Sequence, residues 1–178
     1  MTFDITPLSE PLFCQRCGGP ILLQSVPDEE RQRLVCQNCG FIHYMNPRMV
    51  ASVVPEREGP DGERRLLLMR RAFEPRRGFW TPPGGFVELG ESPMEAAVRE
   101  GKEEVGLTLE PFALLGVYSR SAMGIVVVAY RARALEEEPR PGIEVLEAAW
   151  FTPDAIPWDG LAYETTIASL RDWVGIVG

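Results

Sequence analysis

Short apolar runs alternate along this chain with two stretches of helical periodicity. Met94, Ala97, Val98, Gly101 and Val105 recur at helical spacing and predict one amphipathic helix. Tyr163, Ile167, Leu170 and Val174 predict a second. Ser92, Pro93 and Glu95 form the S-x-x-E capping pattern with proline at the first helical position, and Gly106 offers a stop. Apolar runs at Met49–Val54, Leu66–Met69, Leu114–Tyr118, Ile125–Tyr130 and Val145–Phe151 predict strands. Glu56–Glu63 and Glu136–Gly142, rich in proline, glycine and charge, predict connecting loops. This order fits an α/β class, an α/β/α sandwich with a mixed sheet.

The polar face of the first helix changes the picture. Glu100, Glu103 and Glu104 stand at i, i+3 and i+4, so they share one face over roughly 100° of arc. Like charges at these spacings destabilise an isolated helix by a few tenths of a kcal/mol per pair. Three carboxylates kept together point to a divalent cation, and hard oxygen ligands suit Mg²⁺ or Mn²⁺. Pro82-Pro83-Gly84-Gly85 predicts a rigid, bare loop whose backbone can approach a metal or a phosphate.

All four cysteines occur in two C-x-x-C pairs, Cys14/Cys17 and Cys36/Cys39, with eighteen residues between the pairs. That spacing fits a tetrathiolate zinc ribbon, whose closed site stabilises rather than catalyses. A glycine after each pair allows the tight turn in which backbone N–H groups point at sulfur. Arg16, Arg31 and Arg33 could offset the residual thiolate charge. The cysteines fill four positions, so the lone His43 reads as a packing or surface residue. The N-terminus lacks a basic stretch followed by an apolar one, so the expectation is a cytoplasmic protein in which disulfides are disfavoured. With 178 residues and a break at Asn46-Pro47, the expected division is a metal-dependent module at 1–46 and a well-buried domain at 47–178.

Residues 85–107 read GFVELGESPMEAAVREGKEEVGL, which resembles the Nudix box of hydrolases that cut diphosphates linked to another moiety. Gly101 stands where that family usually has a larger apolar residue. Upstream, Gly78–Gly85 resembles the family's GxWxxPGG lead-in, with Pro82 replacing an aliphatic residue. The resemblance implies Glu100, Glu104 and Glu103 as Mg²⁺ ligands, directly or through water, with the carbonyl of Gly84 as a further ligand. Arg99 would orient Glu103, and Glu91 would support the site from outside the helix. The cation would neutralise the diphosphate and acidify water, with Glu100 or Glu144 as base. Glu144 lies in a segment, Gly142–Phe151, that resembles the family's E-x-x-E-A-x-W-F strand.

The ribbon followed by Ile42–Pro47, the Arg77–Trp80 loop, Pro141–Glu144 and Ile156–Tyr163 together resemble the FAD and ADP-ribose pyrophosphatases related to plant chloroplast enzymes. The S-Q-P-W-P-F-P-x-S array of NADH pyrophosphatases is not in this sequence. The resemblance implies AMP as a product and a homodimer as the assembly. An NADH pyrophosphatase and a nucleoside triphosphate-cleansing hydrolase are the alternatives within the enzyme class; an ADP-ribose or nucleotide sensor is the alternative outside it. Intact Glu91, Glu100, Glu103 and Glu104 favour turnover. The net charge of −8 disfavours nucleic acid as a partner, and no apolar run suggests a membrane. Among Arg70, Arg71, Arg76 and Arg77, Arg77 is the expected phosphate contact, and Tyr118, Trp158 and Tyr163 are expected stacking partners for a base or flavin.

Overall fold

The computed structural model describes residues 10–177, which divide into two compact units at Pro47/Arg48. The first unit is a three-stranded antiparallel sheet, β1 (Ile21–Gln24), β2 (Arg33–Cys36) and β3 (Ile42–His43), in that order. Its core is small: Cys14, Ile21, Leu34 and Cys36, with Phe41 packed against them.

The second unit begins with β4 (Arg48–Glu58) and β5 (Arg64–Arg71), followed by two short strands, β6 (Trp80–Thr81) and β7 (Gly84–Phe86). Helix α1 (Pro93–Val105), strands β8 (Leu109–Arg120), β9 (Ile125–Ala134) and β10 (Val145–Phe151), and helix α2 (Glu164–Val177) complete it. The sheet order is β10-β5-β4-β9-β8, with β6 on β5 and β7 on β4. It is mixed because β4 and β9 run parallel while their other pairings are antiparallel.

Leu66–Met69 shows why the sheet is covered on both faces. Side chains alternate across a strand, and all four are at most 1% exposed. Leu67 and Met69 join Val53, Ala96, Ala97 and Val105 on the α1 side, while Leu66 and Leu68 join Val54, Leu170 and Trp173 on the α2 side. A continuous apolar run is what a strand buried on both faces requires. Each such side chain contributes about 1.5–3 kcal/mol on burial. The result is the expected α/β/α sandwich.

Helix α1 starts and stops where its sequence says. The Ser92 hydroxyl accepts from Glu95 N (3.2 Å) and the Glu95 carboxylate accepts from Ser92 N (2.7 Å). Gly106 closes the helix at φ 69°, its N–H donating to Lys102 O. Gly101, the departure from the family pattern, is buried against Leu109: a Cβ there would stand 2.3 Å from Leu109 Cδ1. Leu109 fills the space that a larger residue at 101 would take.

Two loop expectations are corrected. Strand β4 continues through Glu56–Glu58, paired with Arg64–Leu66, where charge and glycine suggested a loop. Glu56 is 4% exposed and accepts from Arg131 Nη2 at 2.9 Å and from Arg64 Nη1 at 3.3 Å. A paired charge thus sits inside the strand. Likewise Gly84 and Gly85 are strand, not loop, opposite Ser52 and Ala51 of β4. Among the described residues no helix is long and apolar enough to cross a membrane.

Glu56→Ala leaves the Arg131 guanidinium buried and without its carboxylate. Removing one member of a buried pair costs about 3–5 kcal/mol, so urea denaturation of the full chain is expected to show a loss of this size. A loss below about 1 kcal/mol would mean that Arg131 reaches water unaided.

Candidate active site

The site is built by pressing β7 between β4 and α1. Ser52 Oγ donates to Pro83 O (3.1 Å) and Val53 N donates to the same carbonyl (2.9 Å), which fixes the turn into β7. A Cβ at Gly84 would stand 2.4 Å from Ala51 O, and one at Gly85 would stand 2.3 Å from Glu100 Oε1. Both glycines are therefore demanded by close approach rather than by a left-handed turn. Gly84 N donates to Glu104 Oε2 at 2.8 Å, tying the strand to the acidic face of the helix.

Around this junction lies an open cleft of about 620 Å³. Its acidic wall carries Glu100, Glu103 and Glu104 from α1 and Glu144 from the turn before β10, with Gly84 and Arg99 beside them. Arg99 is the hub. It donates to Glu91 (2.8 and 3.1 Å), to Glu100 (2.7 Å), to Glu103 (3.2 Å) and to Phe86 O (3.2 Å). The Arg99 hydrogen bonds and the Glu88 N–H hold the Glu91 carboxyl down at about 2.

Glu104 behaves in the opposite sense. Burial pushes its carboxyl up to about 8; the Gly84 N–H opposes this, while the charges of Glu100 and Glu144 add to it. Glu100 is also raised, chiefly by burial, with Arg99 opposing. Carboxyl groups gathered and raised in this way could hold a cation, and their oxygens suit Mg²⁺ or Mn²⁺. The carboxylates are nevertheless spread more widely than a closed metal cage, with a guanidinium among three of them.

The first unit has such a cage. The Sγ atoms of Cys14, Cys17, Cys36 and Cys39 all lie within 4.8 Å of one another. The Cys14–Cys39 and Cys17–Cys36 separations are 3.8 and 3.5 Å. A tetrahedral thiolate site with metal–sulfur bonds of about 2.3 Å has edges of about 3.8 Å, so the cluster fits a metal. All four are free of disulfides. Gly18 and Gly40 take φ 71° and 69° and close the two turns onto Cys14 O and Cys36 O. Arg16 N points at Cys14 Sγ (3.4 Å). The Cys39 N–H, opposed by burial, holds the Cys36 thiol down at about 6. His43 is buried and packs edge-on against Phe41.

The structure brings Glu100, Glu103, Glu104, Arg99, Gly84, Glu144 and Tyr163 to one cleft, with Glu91 joined through Arg99. The other three expected substrate contacts are not among its lining residues. Arg77 is exposed, and in its stead Arg71 and Arg120 line the cleft. Tyr118 donates to Asp172 at 2.7 Å and so anchors α2, and Trp158 packs into the α2-side core. Strand alternation could have chosen Arg71 over its neighbours: it shares parity with Leu67 and Met69, which face α1. Nothing in the sequence pattern marked Arg120, or Phe73 and Ile143 on the rim.

A family model for the NUDIX domain matches residues 47–170, and one described as Nudix N-terminal, a zinc ribbon, matches residues 12–45. The chain belongs to the Nudix family of hydrolases. A Nudix hydrolase from Nitrosomonas europaea superposes with a TM-score of 0.84 at 35% identity, covering 92% of this chain and 90% of that one. An ADP-ribose pyrophosphatase of Methanocaldococcus jannaschii is 33% identical over 73% of this chain and 76% of its own length. An NAD-capped RNA hydrolase of Pseudomonas aeruginosa is 31% identical over 82% of this chain, which spans 49% of that relative's length. The match to a MutT-like protein of Streptomyces ambofaciens, 37% identical, covers 60% of this chain and 64% of that relative.

The raised Glu104 carboxyl sets a pH dependence in buffer without Mg²⁺ or Mn²⁺. Its folded value of about 8 lies above the ordinary 4.5, so the folded state keeps a proton that the unfolded chain releases. Stability is then greatest below about 4.5 and falls as pH rises towards 8. Melting temperatures measured from pH 5 to 8.5 are expected to decline, and Glu104→Gln is expected to flatten the decline. A rise across this window would show that Glu104 is ionised in the folded protein.

Proposed function

We propose that this protein is a divalent-cation-dependent pyrophosphatase that hydrolyses the diphosphate bond of ADP-ribose, FAD or both, releasing AMP. The observation that carries the reading is the acidic wall: Glu100, Glu103, Glu104 and Glu144 meet in one cleft large enough for a nucleotide derivative. Glu100, Glu104 and Glu103, with the carbonyl of Gly84, would hold Mg²⁺ or Mn²⁺. When bound, that cation neutralises the diphosphate and lowers the pKa of water. Arg99 fixes Glu103 and Glu100 in place and keeps their repulsion in check. Glu144, on the turn beside them, takes the proton from the attacking water or stands as an outer ligand, with Glu100 the alternative base.

Similarity to the Methanocaldococcus ADP-ribose pyrophosphatase over three quarters of its length supports ADP-ribose. Similarity to the Pseudomonas NAD-capped RNA hydrolase supports a second reading, a dinucleotide diphosphate such as NADH. The tetrathiolate cluster holds structural Zn²⁺ in this reading. Strand β8, at the sheet edge, exposes Phe112, Leu114 and Val117, which supports the homodimer.

Incubation with Mg²⁺ and, separately, FAD, ADP-ribose, NADH and dGTP is expected to yield AMP from FAD or ADP-ribose. Glu104→Gln is expected to lose at least about 10²-fold in kcat, since it removes charge stabilisation at the reacting centre. Faster cleavage of NADH or dGTP would keep the chemistry and replace the substrate. Tight binding of ADP-ribose without turnover would make the protein a sensor.

Elemental analysis is expected to find one Zn²⁺ per chain, released by a thiol-directed mercurial together with the circular dichroism signal of the ribbon strands. Structural zinc sites of this type supply the folding energy of the module that holds them. Full occupancy by another metal, or unchanged structure after release, would remove the structural zinc from the reading.

A further inference from the structure

Beside the acidic wall the same cleft carries two arginines, one of them paired across strands with Val145 next to Glu144. Arg71, at the end of β5, and Arg120, at the end of β8, both line it. Their guanidinium carbons stand 5.7 and 4.9 Å from the ring centroid of Tyr163. Other arginines of this domain are committed to carboxylates: Arg99 to Glu91, Glu100 and Glu103, Arg131 to Glu56, Arg70 to Glu147. Among the described residues neither Arg71 nor Arg120 has a carboxylate oxygen within ion-pair distance. Arg71 spends one donor on Pro75 O (3.0 Å), which fixes its fork rather than neutralising it.

Tyr163 adds the second observation. Its ring meets two guanidiniums. Its hydroxyl is buried without a hydrogen-bond partner among the described residues. A buried hydroxyl without a partner costs about 1–3 kcal/mol, and two unpaired guanidiniums beside one ring repel each other. One ligand relieves all three conditions: an anion that accepts from both forks and from the phenol. The place suits it further, because Tyr163 and Thr165 bring the first turn of the fourteen-residue helix α2 to the cleft. Free N–H groups and the positive end of the helix favour an anion there.

We propose that Arg71, Arg120, Tyr163 and the start of α2 form an anion seat that holds the phosphoryl group not attacked by water, and so stabilises the leaving phosphate. The proposal rests on the pyrophosphatase reading and deepens it. In the hydrolysis, the water oxygen bonds to the phosphorus at the acidic wall. The bridging P–O bond breaks, its electron pair stays on the phosphate in the seat, and that group departs as a phosphomonoester. The two products carry four negative charges where the diphosphate diester carried two, and two protons are released to the base and then to solvent. Charge on the seated phosphate grows from about −1 towards −2 as the bond breaks. Donors gathered around it therefore strengthen in the transition state, which lowers the barrier and not merely KM. Two planar forks also match phosphate oxygens in a way that a single ammonium cannot.

The test uses the full chain as wild type, Arg120→Ala, Arg120→Lys and Tyr163→Phe, the last removing one hydroxyl and leaving the ring. With Mg²⁺ and ADP-ribose, kcat is expected to fall about 10²-fold in Arg120→Ala, less in Arg120→Lys, and about tenfold in Tyr163→Phe. A purely structural role would lower the melting temperature and leave kcat of the folded fraction intact. Separately, calorimetric titration of AMP and of ribose 5-phosphate into protein without divalent cation reads the seat alone. Binding by the wild type, lost in Arg120→Ala and weakened in Tyr163→Phe, supports the seat even if no diphosphate is cleaved, in which case it is the pyrophosphatase reading that fails. Cleavage by the wild type with kcat and AMP binding unchanged in both variants overturns the seat and leaves that reading standing.

Discussion

Four carboxylates kept around one cleft against their own repulsion are the constraint on which the rest of this domain depends. Glu104 can be buried only because α1 is held on both sides: Ala96, Ala97 and Val105 pack into the sheet, and Gly84 N meets the carboxylate itself. Glu100 can sit over β7 only because residue 85 has no side chain. Arg99 then carries the balance, one guanidinium shared among Glu91, Glu100 and Glu103. The capping box, the two glycines and the hub arginine are thus one arrangement for placing negative charge where water is scarce. In a low-dielectric setting such charge is worth far more to an arriving cation than the same charge at the surface.

The cleft separates its charges by element. Acid comes from α1 and from the turn before β10; base comes from the ends of β5 and β8, next to the start of α2. The charge of Arg71 reaches Glu104, yet among the described residues neither Arg71 nor Arg120 has a carboxylate oxygen in ion-pair range. A ligand with two anionic groups would use both signs, one group sharing a cation with the glutamates and the other meeting guanidinium and phenol. The apolar rim, Phe73 and Ile143, belongs to two loops joined by Ala72 N donating to Glu144 O at 2.9 Å.

The parts of this molecule legible in its sequence are those written in local pattern. Helix α1, its caps, the buried run Leu66–Met69 and the two C-x-x-C turns each declare themselves within a few residues, because periodicity and backbone geometry are local properties. The acidic set was legible for the same reason, being spaced on one helix. What was hidden depends on tertiary context. Glu56–Glu58 reads as a loop until Arg131, seventy-five positions away, neutralises it. Gly84-Gly85 reads as a loop until β4 is seen beside it. Arg71 ends β5 whereas Arg77 lies in the loop after it, Tyr118 bonds to Asp172 of α2, and Trp158, in a turn after β10, packs into the α2-side core. Aromatic identity says that a ring will be buried; it does not say against what.

The cysteine unit answers to a different limit. Its core consists of Cys14, Ile21, Leu34 and Cys36, so half of its buried members are themselves the ligating groups. A core of that size cannot offset the entropy of ordering some forty residues. Metal–sulfur bonds are what a four-thiolate cluster of this geometry can add, and two left-handed glycines close the turns that carry N–H groups towards sulfur. At Cys36 these N–H groups stabilise thiolate over thiol. The two units share one device, like-charged groups gathered by the fold. The difference is geometric: the four sulfurs lie within 4.8 Å of one another, whereas the carboxylates line an open cleft.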